Sequence, residues 1–122
     1  MLAPFLTNSA KDKGDKAERE IAEILSELTP FIVRRKLGAG RTNDAGGDTG
    51  DLEGIPDHAC QVANWKDTAK AALRKPIDAY EQACNLDVPH SVTFVRFRGN
   101  RWRVVLTVEQ WAEYLRLIYD KT

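Results

Sequence analysis

Gly50-Asp51-Leu52-Glu53-Gly54 and His58-Ala59-Cys60-Gln61-Val62-Ala63-Asn64 are two short strand-like runs separated by Ile55-Pro56-Asp57. Proline at the first central position favours a tight turn, so the two runs read as neighbouring strands, Asp51 to Gly54 and His58 to Asn64, able to form a hairpin. Side chains alternate along a strand. Gln61 and Ala63 therefore point to one face of the sheet, and Cys60, Val62 and Asn64 to the other.

Working outward, Ala17, Ile21, Ile24, Leu25 and Leu28 recur at intervals of three and four, which predicts an amphipathic helix from Lys13 to Leu28, ended by Thr29-Pro30. Residues 1–12 read as a flexible, irregular lead-in to a domain covering 13–122. Phe31 to Arg34 has strand composition. Leu37 to Gly50 carries five glycines and reads as a long loop of the kind that carries function. Asp67 to Cys84 reads as a helix with Asp67 as N-cap, a possible kink at Pro76, and Ala71, Ala72, Ile77, Tyr80 and Ala83 on its buried side. Ser91 to Arg98 and Arg101 to Thr107 alternate around Gly99-Asn100, which suits a two-residue type II′ hairpin turn. Val108 to Tyr119 closes the order as a helix with Val108, Trp111, Ala112, Leu115 and Ile118 on one face. The expected architecture is a single α/β domain, a mixed central sheet flanked by helices, in the order αβββαββα.

The chain has 122 residues, of which 43% are hydrophobic, enough for one modest core. Eighteen basic residues balance eighteen acidic ones, so attraction to a polyanion requires local clustering. There is no apolar run long enough to span a membrane, and the segment from Met1 to Leu6 lacks an export leader; the expected location is the cytoplasm, with no membrane partner. Cys60 and Cys84 lack metal-ligand spacing and read as structural.

An aspartate opening one strand and two same-face positions on the next is an arrangement similar to the metal-binding core of the PD-(D/E)xK nucleases. In that family an aspartate, a glutamate and the carbonyl after it hold Mg²⁺, and a lysine two residues beyond the glutamate activates water. The resemblance implies a restriction-endonuclease-like fold and a Mg²⁺- or Mn²⁺-dependent endodeoxyribonuclease. It assigns Asp51, Gln61 and the Val62 carbonyl to the metal, and Gln61 and Ala63 to the glutamate and lysine positions. Gln61 keeps an oxygen but removes a charge. Ala63 can neither donate a hydrogen bond nor carry positive charge, which is expected to remove most of the rate. Three explanations of Ala63 compete: a deliberate lysine-to-alanine inactivation, which the otherwise intact motif region favours; natural loss; and replacement by Lys66. Lys13-Gly14-x-x-x-Glu18-Arg19-Glu20 resembles the opening helix of Holliday-junction-resolvase-like phage nucleases and adds Glu18 to the metal set. Gln82, on the helix after the catalytic strand, is a further site candidate, and the resemblance implies a homodimer.

Basic residues are the other signal. Arg34, Arg35, Lys36 and Arg41 cluster without a nearby acid in sequence, which suits phosphate contacts; Arg34, just before the loop, is the better candidate, Arg41 is assigned to DNA with it, and Arg35 and Lys36 read equally well as a solvated strand end. A two-residue turn at Gly99-Asn100 would pair Arg98 with Arg101 and Arg96 with Arg103, placing four arginines on one face. Opposed like charges cost roughly a few tenths to 1 kcal/mol per pair, so such a face calls for acidic neighbours or an anionic partner, DNA being the natural choice. His58 reads as a strand-start polar group, Glu20 as a solvated helix residue, Asp48 as a loop residue, and Trp65 as packing or a surface for an unpaired base. Two other readings accompany the nuclease: a non-catalytic DNA-binding module of the same fold, and a phage protein that binds a host protein.

Overall fold

The computed structural model describes residues 3–120. Its order is helix α1 (Ala3–Leu28), strand β1 (Arg34–Arg35), a 3₁₀ turn (Gly38–Arg41), β2 (Leu52–Glu53), β3 (His58–Ala63), α2 (Thr68–Leu86), β4 (His90–Phe97), β5 (Arg101–Val105) and α3 (Val108–Tyr119). The five strands form one mixed sheet in the order β1-β2-β3-β4-β5. The β3 and β4 strands run parallel, joined through α2, and every other pair is antiparallel. The described residues thus form a single small α/β domain with three helices.

The sheet has an apolar cluster on each face. Ile21 and Ala22 of α1 pack with Val33, Leu52, Cys60, Val92 and Phe94, and Trp102 leans on this group. On the other side Ala63, Ala71 and Val95 pack together, with Trp65, Phe97 and Val105 against them. Alternation along β3 produces this division, since Cys60 and Ala63 lie on opposite faces. Gly54 closes the β1–β2 junction in a left-handed conformation (φ 109°), and a Cβ there would run into the Ile32 carbonyl.

Several local expectations are corrected. The backbone is helical from Ala3, not irregular to residue 12: Pro4 stands in the first turn, where its missing N–H costs nothing, and no further proline follows before Pro30. Residues 1 and 2 of the expected lead-in lie outside the described residues. Strand β1 is confined to Arg34–Arg35, later than expected. The glycine-rich segment is built, not loose. It contains the 3₁₀ turn and a Thr42–Asp48 bridge, and Asn85 Nδ2 pins it to α2 by donating to the Asp48 carbonyl at 2.8 Å. Pro76 lies inside α2 without dividing it, and the buried side of α2 is Ala71, Pro76, Ala79, Gln82 and Ala83, leaving Ile77 and Tyr80 exposed.

The hairpin correction matters most. Phe97 pairs with Arg101, Arg96 with Trp102 and Val95 with Arg103. The connection is therefore a three-residue loop, Arg98-Gly99-Asn100, with Gly99 and Asn100 both left-handed (φ 72° and 56°). A shift of this kind moves one strand's side chains to opposite faces relative to the other's. Arg96 shares the α1 side with Trp102, whereas Arg101 and Arg103 share the α2 side with Phe97 and Val95. The four arginines do not form one face. Burial of Trp102 against the α1 cluster, with its indole Nε1 donating to Glu20 Oε1 at 2.7 Å, stabilises the observed register.

Candidate functional site

Of the expected metal-site residues, Asp51 and Glu18 meet through Arg41, whereas Gln61 is bonded to Gln82 and Ala63 packs in an apolar cluster. Asp51 sits in the bend before β2, held there by its backbone N–H donating to the Cys60 carbonyl at 2.7 Å. One carboxylate oxygen, Oδ2, accepts from the Val62 N–H at 2.8 Å. The other, Oδ1, is ion-paired with Arg41, and the same guanidinium reaches Glu18 Oε2 at 3.4 Å. Glu18 also accepts from Arg35 Nε at 3.2 Å, and Arg35 continues to Asp15 at 2.8 Å. Glu18 and Asp51 are both buried, so the helix glutamate and the strand aspartate meet across one arginine.

Burial raises the pKa of Asp51, and the nearby Glu18 charge adds to this, while the Val62 N–H and Arg41 oppose it. Both oxygens accept hydrogen bonds, so we take the group as ionised at neutral pH. Burial works against the Arg41 charge, yet Glu18 and Asp51 outweigh it and raise its pKa. Within it the buried Glu18 and Asp51 charges are offset by Arg35 and Arg41, with Asp15 pairing Arg35 on its outer side. Arg41 is thereby drawn inward, and the expected basic cluster without acids is corrected for Arg35 and Arg41. Lys36 is buried as well: its Nζ donates to the Thr49 carbonyl at 2.8 Å and Oγ1 at 3.2 Å, and burial lowers its pKa. Arg34 remains exposed at the edge pair with Glu53.

Gln61 lies on the α2 face, and its Oε1 accepts from Gln82 Nε2. The same Gln82 nitrogen donates to Asp48 Oδ2 at 3.2 Å. These side chains edge a cleft of about 200 Å³ that also takes in Lys75, Asp78 and Glu81 of α2. Asp48 and Gln82 thus belong to one polar chain with Gln61, a link that sequence could suggest for Gln82 alone. Ala63 is 1% exposed and packs with Ala71 and Val95, both fully buried.

These groups fit a divalent cation poorly as they stand. The Asp51 and Glu18 charges are balanced by guanidinium groups, the Gln61 oxygen is spent on Gln82, and no lysine stands at Ala63. No cluster of three or more histidine, cysteine, aspartate or glutamate side chains is gathered in metal-holding geometry among the described residues. The side chains here can hold the loop, α1 and the sheet together; supplying a reactive water would need them to exchange partners.

A different arrangement lies at the far end of the same face. Lys66, Thr68, Phe97, Arg98, Arg101 and Arg103 line a cleft of about 550 Å³. Three arginines come from the hairpin, where the three-residue loop and the α2-facing side of β5 aim them together. Lys66 comes from the turn between β3 and α2, just before the Asp67 cap that accepts from Lys70 N at 3.0 Å. No carboxylate lines the cleft, and among the described residues none of these four cations is in an ion pair. The first turn of α2, capped by the Asp67 carboxylate, places Thr68 at the cleft wall. Lys66 thus belongs to the arginine cleft. Arg96 is excluded from it, tied instead to Glu20 at 3.4 Å and to Asn100. Glu20, expected to be a solvated residue, is the acceptor that separates Arg96 from the other arginines. Trp65 packs on the α2-side cluster with Lys75 Nζ 4.9 Å over its ring.

His58 is more than a strand-start group. Its Nδ1 lies 2.8 Å from the Pro56 carbonyl, so that nitrogen carries the proton, and its Nε2 accepts from the Tyr114 hydroxyl at 2.6 Å. No helix among the described residues is long and apolar enough to cross a membrane. Compared with known proteins, the chain matches no family model, no curated protein and no solved structure.

Proposed function

We propose that this chain is a DNA-binding domain that grips the phosphate backbone with Lys66, Arg98, Arg101 and Arg103, and that its resemblance to PD-(D/E)xK nucleases reflects a framework whose hydrolytic chemistry is impaired. The observation that carries the reading is the convergence on one cleft of four cations that form no ion pair among the described residues, in a chain of zero net charge. Unpaired guanidinium groups are kept apart by their own repulsion and are stabilised by a polyanion that spans them; arginine forks suit phosphate oxygens in particular. Phe97 and Thr68 at the cleft wall supply an apolar surface and a hydroxyl donor that a sugar-phosphate chain can use.

The hydrolytic reading, with Mg²⁺ or Mn²⁺ at Asp51, Glu18, Gln61 and the Val62 carbonyl, draws its support from Glu18 and Asp51 meeting at a single guanidinium. It requires Arg41 to leave both carboxylates and Gln82 to release Gln61, and it still lacks a general base or cationic partner at Ala63. An ion bound there would supply Lewis-acid activation of water; the chain's own residues as placed neutralise and hold, and the DNA-binding reading is the one they favour.

Fluorescence anisotropy with linear and four-way-junction DNA tests this. Wild type is expected to bind both without cleaving either in Mg²⁺ or Mn²⁺, and the Arg98→Ala, Arg101→Ala, Arg103→Ala triple variant to bind at least about tenfold more weakly. Undiminished binding by a folded triple variant would refute the cleft as the DNA site. Cleavage by wild type would restore the hydrolytic reading.

A further inference from the structure

Helix α3 is attached by its polar side. Gln110, 6% exposed, donates through Nε2 to Ser91 Oγ at 2.6 Å and the Pro76 carbonyl at 3.3 Å. Tyr114 stacks on His58 and His90, and Glu113 Oε2 lies 3.7 Å from His90 Nδ1. The apolar side points away from the domain: Val108, Trp111, Leu115 and Ile118 are 79%, 52%, 37% and 52% exposed. An amphipathic helix at the surface of a lone domain turns its apolar stripe to the core. Here the stripe is offered outward, and the residues that fix α3 in that orientation are specific hydrogen-bonding side chains.

We infer that the outward face of α3 is a self-association surface, on which α3 of a second copy packs antiparallel about a twofold axis. The spacing of Val108, Trp111, Leu115 and Ile118, three then four then three, is the seam by which two helices pack side by side at a shallow angle. Its extent also fits. The exposed parts of these four side chains amount to several hundred Å², a substantial part of the ~800 Å² that each partner contributes to a stable interface. The Gln110–Pro76 contact ties α3 to α2, on which Leu73, Ile77 and Tyr80 are exposed as well.

Charge selects both partner and direction. Glu109 and Arg116 are seven residues apart and so lie on the same flank of the helix. An antiparallel mate centred on α3 turns this flank to the same flank of the other copy and sets each Glu109 near its Arg116, whereas a parallel mate turns it to the opposite flank, where Gln110, Tyr114 and Ile118 carry no charge. A twofold pairing is self-complementary, so one surface serves both partners. Nucleic acid does not fit this face, which is apolar with one arginine. The inference is independent of the DNA-binding reading.

Sedimentation equilibrium of the full chain tests it. The wild type is expected to be a dimer at ~10 μM, and Leu115→Glu to raise its dissociation constant at least ~100-fold, as for loss of a central apolar contact. Leu28→Glu, on an exposed residue at the end of α1, is expected to leave the dimer intact. A wild type that sediments as a monomer across this range overturns the inference, including the case in which another protein covers the face. So does a folded Leu115→Glu variant that dimerises like wild type. Should circular dichroism show that variant unfolded, charge reversal decides: Glu109→Arg and Arg116→Glu each weaken the dimer, the double variant restores it, and failure to restore overturns the antiparallel arrangement.

Discussion

Placing lysine at residue 63, the substitution that would complete the nuclease-like pattern, is expected to destabilise the domain without creating a nuclease. Ala63 is 1% exposed, and its neighbours Ala71 and Val95 are 0% exposed. Lysine adds a four-atom extension, three methylenes and an ammonium, where a methyl group now ends. Overpacking of this kind costs ~1–3 kcal/mol. Holding an ammonium among Ala71, Val95 and Phe97 adds several kcal/mol, reduced if the amine reaches the cleft edge by Gln61. A loss of about 4 kcal/mol is a large part of a typical stability of 5–15 kcal/mol, and corresponds to a fall of roughly 2 M in the urea midpoint. Urea denaturation followed by circular dichroism, with plasmid nicking in Mg²⁺ on the same sample, reads both consequences. An Ala63→Lys variant that keeps the wild-type midpoint and nicks DNA would refute the reasoning, because it would mean that this end of β3 opens toward the Asp51 carboxylate.

Two other perturbations probe the charge network and the histidine. Arg41→Ala leaves the buried Glu18 and Asp51 facing each other, and is expected to cost about 3 kcal/mol at neutral pH; part should return as pH falls and one of the two carboxyls takes up a proton, and millimolar Mg²⁺ should raise the melting temperature of this variant but not of wild type, both read by calorimetry. His58 has its pKa lowered, first by burial and then by His90, against the opposing Pro56 carbonyl and Asp57. The folded state then binds fewer protons than the unfolded chain just below the ordinary histidine pKa of about 6.5, so its contribution to stability is complete above that value and is lost as pH falls through and below it. Melting curves across that interval are expected to slope downward toward acid, and His58→Asn to flatten the slope.

The element order was legible because strong local signals agree with it. The three- and four-residue spacing of α1, the alternation in β3 and β4, and the Asp67 cap each report short-range physics that tertiary packing reinforced. The hairpin register was not legible. Gly99-Asn100 is compatible with both a two- and a three-residue connection, and the choice depends on Trp102 finding Glu20 on a helix some eighty residues away. That long-range contact decided which arginines share a face. Pairing of Arg35 and Arg41 with Asp15, Glu18 and Asp51 is equally non-local, so a basic run in sequence became a set of internal salt links. Exposure of Val108, Trp111, Leu115 and Ile118 is not legible in the sequence for a different reason: periodicity identifies an apolar face but not the direction in which it is turned. The signal for Gln110 was available in Thr107-x-x-Gln110, a capping box that places the glutamine at the start of α3, though its reach to Ser91 was not.

The central claim is that Lys66, Arg98, Arg101 and Arg103 act together on DNA phosphates, and the dependence of affinity on salt tests it most directly. Four contacts on duplex DNA predict a slope of log affinity against log salt of about −3.6, a loss of roughly 150-fold between ~50 and ~200 mM, and a slope shallower by ~0.9 for Arg101→Ala. A slope near zero, or one that Arg101→Ala leaves unchanged, would contradict the account.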